Sequence, residues 1–189
     1  ICKRYQIQIT SLATGLSVDE GLSLSADNTE IRRQTIERMH RYIDLASRIN
    51  KNTIVLIGLL IGQCAQASSR EVYLENLSSS LRDIVRYAQE KQIVICIEPI
   101  NHYDSDILNT WKDMADFLDH SGCSAIKLAM DLYHMRMEEK DILDTIRRFS
   151  NRIGSVQMMD DNRLAPGFGC LRFEAIVETV LAVGYDGPI

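Results

Sequence analysis

No stretch of the 189 residues approaches the roughly 20 consecutive apolar positions of a membrane span, so a membrane partner is not expected. No CxxC pair occurs. The five cysteines (Cys2, Cys64, Cys96, Cys123, Cys170) are widely spaced and odd in number, which speaks against a disulfide framework and a thiolate zinc site and for a reducing cytoplasm. Basic charge is in deficit, with 21 Lys and Arg against 26 Asp and Glu for a net charge of -5, and no run carries one sign for long. A binder of duplex nucleic acid needs a basic face for the phosphates, so nucleic acid is not expected as a partner. No GxGxxG or GxxxxGK[ST] follows any apolar run, which removes support for a nucleotide-binding open sheet. A secretion signal is also missing; the chain opens ICKRYQIQIT, without an initiator Met, suggesting a trimmed chain or one lacking its first part.

What is present is an alternation of apolar runs and helical periods. Residues 5–13 read as a first strand and 19–30 as a polar loop. In 31–49 the residues Ile36, Met39, Ile43 and Ala46 recur three or four apart, which predicts an amphipathic helix. A buried strand at 52–61 (NTIVLIGLLI) and a helix at 71–91 follow, then the apolar run Ile93–Ile97, read as a strand buried on both faces. Thr110 and Asp113 form a capping-box pattern for a helix that Gly122 ends. After it come a strand at 125–130, a helix at 141–149, a strand at 153–158, a turn-rich loop at 159–171 and a helix at 173–183 capped by Gly184. Residues 187–189 look like the start of another strand.

Strand–helix repetition of this kind predicts a parallel sheet with right-handed crossovers. Two architectures fit, a doubly wound open sheet and a (β/α)8 TIM barrel. A full barrel takes about 250 residues. Five strands and the stump of a sixth match a barrel incomplete at both ends, its N-terminal unit and C-terminal strands missing. Residues 1–189 are then one partial TIM-barrel domain.

Three oxygen-bearing residues stand at the carboxyl ends of three of these strands: Glu98, Asp131 and Gln157. That edge is where α/β sheets and barrels place their active sites. A lone acid at the end of a buried strand costs free energy unless a metal, a cation or several donors meet it. Two carboxylates and an amide oxygen suit Mg2+ or Mn2+ better than a metal that prefers thiolate. Other readings stand beside this one. Glu98 can bend to solvent or meet an Arg, Arg163 can be a loop ion pair of little value, and Pro166-Gly167-Phe168-Gly169 can be a plain turn. Asp160 and Asp161 are equally well orienting groups or solvated loop acids. His40 and His120 lie on helices away from the strand ends, and Trp111 and Met135 suit a core.

Ile97-Glu98-Pro99-Ile100-Asn101, Met130-Asp131-Leu132-Tyr133-His134-Met135, Asp161-Asn162-Arg163 with Pro166-Gly167-Phe168-Gly169, and Gly184-Tyr185-Asp186-Gly187 together resemble the xylose-isomerase-like sugar isomerase/epimerase family. Among its members the chain is most similar to the ketose 3-epimerases that act on tagatose or psicose. The resemblance runs over almost the whole chain and implies a TIM barrel holding one divalent ion, Mn2+ first and Mg2+ or Co2+ as substitutes. In the family a Glu, an Asp, a His and a second Glu hold it. Glu98 matches the first Glu and Asp131 the Asp. The His position falls on Gln157, as in relatives of the hydroxypyruvate-isomerase type, and the second Glu would lie just beyond Ile189. His134 and Arg163 match positions that hold sugar hydroxyls. Asp104 stands where a substrate-binding Glu is usual, one methylene shorter, and His102 replaces a commoner Arg.

The resemblance therefore implies a metal-dependent sugar isomerase or epimerase that transfers a proton next to a ketose carbonyl through an enediolate, with Glu98 as the acid/base and a small sugar as partner. For that work burial would have to raise the Glu98 pKa against the pull of the cation. It also implies pairing into a dimer or tetramer. Alternatives are a hydroxypyruvate-isomerase-like or inositol-catabolic dehydratase member of the same superfamily, or a non-catalytic sugar-binding barrel. The endonuclease IV branch gathers several His around multiple zinc ions, and only four His are available here.

Overall fold

The computed structural model describes residues 2–189. A short helix α1 (Cys2–Tyr5) precedes β1 (Ser11–Ala13), which leads into α2 (Gly15–Asp19) and the long α3 (Thr29–Ile49). Then follow β2 (Ile54–Ile57), α4 (Arg70–Lys91), β3 (Ile95–Ile97), α5 (Trp111–His120), β4 (Lys127–Asp131), α6 (Leu132–Glu138), α7 (Ile142–Arg148), β5 (Ile153–Gln157) and α8 (Phe173–Ala182). The strands pair in parallel in chain order, β1-β2-β3-β4-β5. A parallel sheet in sequence order, with helices in the crossovers, is a half-barrel, the incomplete (β/α)8 barrel expected from the alternation.

The helices form where apolar spacing and capping agree. On α3 the buried side chains are Thr35, Met39, Ile43 and Ala46, and the Asn28 side chain accepts the amides of Glu30 and Ile31 at its start. On α4 they include Tyr73, Leu77, Leu81, Ile84 and Ala88; Ser69 caps its start, and Gln92 ends it in the left-handed region at φ 59°. The Thr110 hydroxyl accepts the Asp113 amide at 3.0 Å to begin α5, as its sequence pattern predicts.

Side-chain parity divides the strands into two apolar sets. Val55, Ile57, Ile95, Ile97, Leu128 and Met130 join the main core. Ile54, Leu56, Cys96 and Ala129 form a separate small cluster, the barrel interior. Residues two apart on a strand share a face, so the next inward positions are Gly58, Glu98 and Asp131.

One irregularity sets the last register. Leu128 pairs with Ile153, but Ala129 pairs with Ser155, which leaves Gly154 as an extra residue in β5. A Cβ at Gly154 would stand 2.5 Å from both Cys96 Sγ and Lys127 Cβ, so only glycine fits the bulge. Downstream of it, Asp131 lies opposite Gln157.

Several expected boundaries move. The strand read over 5–13 shrinks to the three residues that find partners on β2, and Ile7 is 57% exposed. The 52–61 run stops pairing at Ile57, turns at Gly58, and buries Leu60 and Ile61 in a single 3-10 turn instead of a strand. In the 93–97 run Val94 is exposed, so the pairing portion is Ile95–Ile97. Asp131 is the last strand residue and also the N-cap of α6, a helix not read from the sequence; α2 was likewise missed. Among the described residues, 187–189 enter no strand pairing, and the Pro188 carbonyl accepts the Tyr185 hydroxyl at 2.8 Å.

Gly154→Ala should destabilise the chain by about 1–3 kcal/mol in urea unfolding, because the added methyl overpacks the bulge against Cys96 and Lys127. Gly15→Ala, where an added Cβ meets nothing within 4 Å, should stay within about 0.5 kcal/mol of the parent.

Candidate active site

The inward parity of β3, β4 and β5 brings Glu98, Asp131 and Gln157 to one end of the half-barrel. Glu98 is just past β3, its amide still donating to the Ile57 carbonyl at 2.8 Å before Pro99 stops the ladder. All six residues singled out from the sequence (Glu98, Asp104, Asp131, His134, Gln157 and Arg163) line a single cavity of about 390 Å3. Apolar wall comes from Val18, Leu56, Leu59, Ile100 and Met159, which the sequence did not point to.

At the centre one oxygen each of Glu98 and Asp131 and one ring nitrogen of His134 lie within 4.8 Å of one another. Asp131 and His134 are 4% and 5% exposed, and the Glu98 side chain is 12% exposed. Burial, then the neighbouring Asp131 charge, pushes the Glu98 carboxyl well above the usual carboxylate range. Burial in turn holds the His134 imidazole below its ordinary value, against the pull of Asp131. Asp131 spends Oδ1 on the Tyr133 amide at 2.8 Å, capping α6. Among the described residues no Lys or Arg forms an ion pair with either acid. The guanidinium of Arg163 stacks instead on Tyr133, 4.3 Å from the ring centroid. Two close carboxylates with no Lys or Arg ion-paired to them are the donor set of a hard divalent ion, and the residues fit that group.

The peripheral residues divide. Gln157 gives its amide nitrogen to Glu98 Oε1 at 3.3 Å, so ligation through its oxygen requires the amide to turn. Asp104 is exposed at the rim and accepts from the Asn101 side chain at 3.1 Å. Arg163 is exposed in a left-handed conformation, φ 62°. His102 turns away, its amide donating to Glu138 at 2.7 Å.

Two residues given no definite role from the sequence organise the site. Asn101 is wholly buried between Asp104 and His134. Asp160, also wholly buried, accepts the amides of Asp161, Gly167, Gly169 and Leu171. Burial alone would raise its carboxyl, but those four donors outweigh it and bring it to about 2. The Pro166–Gly169 turn is thus wrapped around a carboxylate, and Asp160 also accepts the Arg163 amide through its carbonyl at 2.9 Å. The acidic residue followed by a Pro-Gly-x-Gly turn was the available signal.

The family model described as xylose isomerase-like TIM barrel matches residues 1–189. The chain belongs to that family. A D-psicose 3-epimerase of Enterocloster bolteae is 35% identical over 108 residues, 57% of this chain and 36% of that protein. A hydroxypyruvate isomerase of Escherichia coli is 28% identical over 134 residues, 69% of this chain and 52% of that protein. The xylose isomerase-like chain thus spans 36% and 52% of the length of these two curated relatives. The crystal structure of an E. coli 3-keto-D-glucoside 4-epimerase superposes with a TM-score of 0.86 over 99% of this chain and 72% of that one, at 21% identity, a likeness of fold.

The folded chain keeps the Glu98 proton where the unfolded chain has released it, so the contribution of Glu98 to metal-free stability is full below pH 4.5 and is lost as pH rises toward about 8, while the depressed Asp160 carboxyl costs stability only in acid below its usual range. Between about pH 5 and about pH 8 that decline should be visible in urea midpoints and shallower in Glu98→Gln. For Asp160→Asn, hydrogen exchange should speed at Asp161, Gly167, Gly169 and Leu171 while the amides of α4 keep their protection.

Proposed function

We propose that this chain carries the site of a divalent-metal-dependent sugar isomerase or epimerase that moves a proton on the carbon next to a ketose carbonyl. One observation carries the reading: Glu98 and Asp131, both largely buried, meet on the wall of a sugar-sized cavity where, among the described residues, neither is ion-paired to a Lys or Arg. Glu98, Asp131 and Gln157 would hold the ion, Mn2+ in first place with Mg2+ or Co2+ as substitutes. When bound it supplies the positive charge that the developing enediolate oxygens need. Glu98 removes or returns the proton on carbon, its affinity for protons raised by burial. His134 donates to a substrate hydroxyl from the buried wall, while Arg163 and Asp104 orient the sugar from the rim.

Gln157 favours a second substrate class within the same chemistry. An amide in place of an imidazole, together with similarity to a hydroxypyruvate isomerase, supports a small hydroxy-ketone as well as a hexose ketose. Five free cysteines support a cytoplasmic setting, and among the described residues no helix is long and apolar enough to cross a membrane. A homodimer or tetramer belongs to the same proposal.

Mn2+ at about 100 times its Kd should stabilise the chelator-treated chain by about 2.7 kcal/mol in thermal unfolding. Glu98→Gln and Asp131→Asn should abolish that shift. In the full-length protein Glu98→Gln should lower kcat for ketose epimerisation or isomerisation by about 10^2 to 10^4. Normal turnover in this variant would overturn the assignment.

A further inference from the structure

We infer that Asn101 is a positioning residue that fixes His134 as the Nε2–H tautomer, making it a hydrogen-bond donor into the cavity and not a metal ligand. The inference rests on the reading of the cavity as a sugar site, which already makes His134 a donor, and it adds the residue that holds His134 in the donating form. His134 stands in the cluster whose ligand atoms could hold an ion, and a neutral imidazole ligates only through an unprotonated nitrogen.

Two contacts settle which nitrogen that is. The Asn101 backbone amide points at His134 Nδ1 from 3.3 Å, and a backbone N–H can only donate. The Asn101 side-chain nitrogen approaches the same atom at 2.7 Å. The amide cannot be turned to present oxygen there, because its Oδ1 already accepts the Tyr103 amide at 2.9 Å and its Nδ2 also donates to Asp104 Oδ2 at 3.1 Å. Rotating the ring instead would set a C–H against both donors. Nδ1 is therefore the bare, accepting nitrogen, and the proton sits on Nε2.

Nε2 lies 3.9 Å from Glu98 Oε1, and both line the cavity. A substrate hydroxyl seated beside the pair can accept from that N–H and donate to the acid/base carboxylate. An ion held by Glu98 and Asp131 would meet that same N–H, so its remaining donors come from Gln157 or from groups other than His134. A chain of hydrogen bonds thus runs from the exposed Tyr103 through the buried Asn101 and His134 to the cavity, and Asp104 shares its middle member.

The test is the nitrogen-15 spectrum of the four histidines, with His134 assigned by its loss in His134→Phe. In the metal-free protein at neutral pH, His134 should show a proton on Nε2 and none on Nδ1, with a scalar coupling across the hydrogen bond from Asn101 Nδ2 to His134 Nδ1. In Asn101→Asp the new carboxylate should draw the proton to Nδ1 and remove that signature. A proton on Nδ1 in the parent overturns the inference, as does a bare Nδ1 without the coupling. Both parent measurements stand whether or not the variant folds. Saturating Mg2+ separates this inference from the reading beneath it. Retention of Nε2–H alongside Mg2+ binding supports both, and loss of it makes His134 a ligand and sinks the inference. Retention without any Mg2+ binding leaves the tautomer in place and removes the metal site.

Discussion

Glu98 and Asp131 place two largely buried acids against each other, and among the described residues no lysine or arginine forms an ion pair with either; Arg163 acts on Glu98 only from a distance. Such a pair opposes folding unless it is protonated, bridged or supplied with a cation. The surroundings supply partial relief only. Asp131 closes the first turn of α6, and Gln157 offers Glu98 one weak N–H. The rest of the site reads as an arrangement around that remaining charge. Its high cost is what makes a structural role for the pair a poor explanation and a chemical role a good one.

That pair exists because of strand parity. Glu98 follows Cys96 by two residues and Asp131 follows Ala129 by two, so both inherit the inward direction of small apolar residues already packed in the barrel interior. The bulge at Gly154 then brings Gln157 level with Asp131. A slip of one residue would turn an acid into the helix-facing core, where Ile97 and Met130 sit with no exposure at all. Register, more than any single contact, holds the chemistry together.

Loops complete what the strands begin. Asp160 gathers four amides and so shapes the segment that carries Arg163 and Met159 over the cavity, while Asn101 ties the β3–α5 loop to His134 on α6. Asp106 performs a similar service farther out, accepting the amides of Cys64 and Ala65 and so joining the loops after β2 and β3. In each case a short acidic or amide side chain substitutes for regular structure by satisfying backbone donors. Among such residues, burial marks those that support the site.

Sequence alone determined the strand–helix alternation, the long helices α3 and α4 and the placing of Glu98, Asp131 and Gln157 at strand ends, because period and capping are local properties of the chain. It did not determine the strand ends themselves: Leu60 and Ile61 are as apolar as any strand residue, yet lie buried in a turn after the chain leaves the strand at Gly58. Nor could it show that Asn101 and Asp160 are buried, since Asn and Asp are ordinarily surface residues and only the folded loops enclose them. The convergence of residues 33 to 59 positions apart, from Glu98 to Asp131 and Gln157, was decided by tertiary structure. It depends on parallel pairing, which the alternation predicted, and on one glycine bulge, which left no local signature strong enough to read.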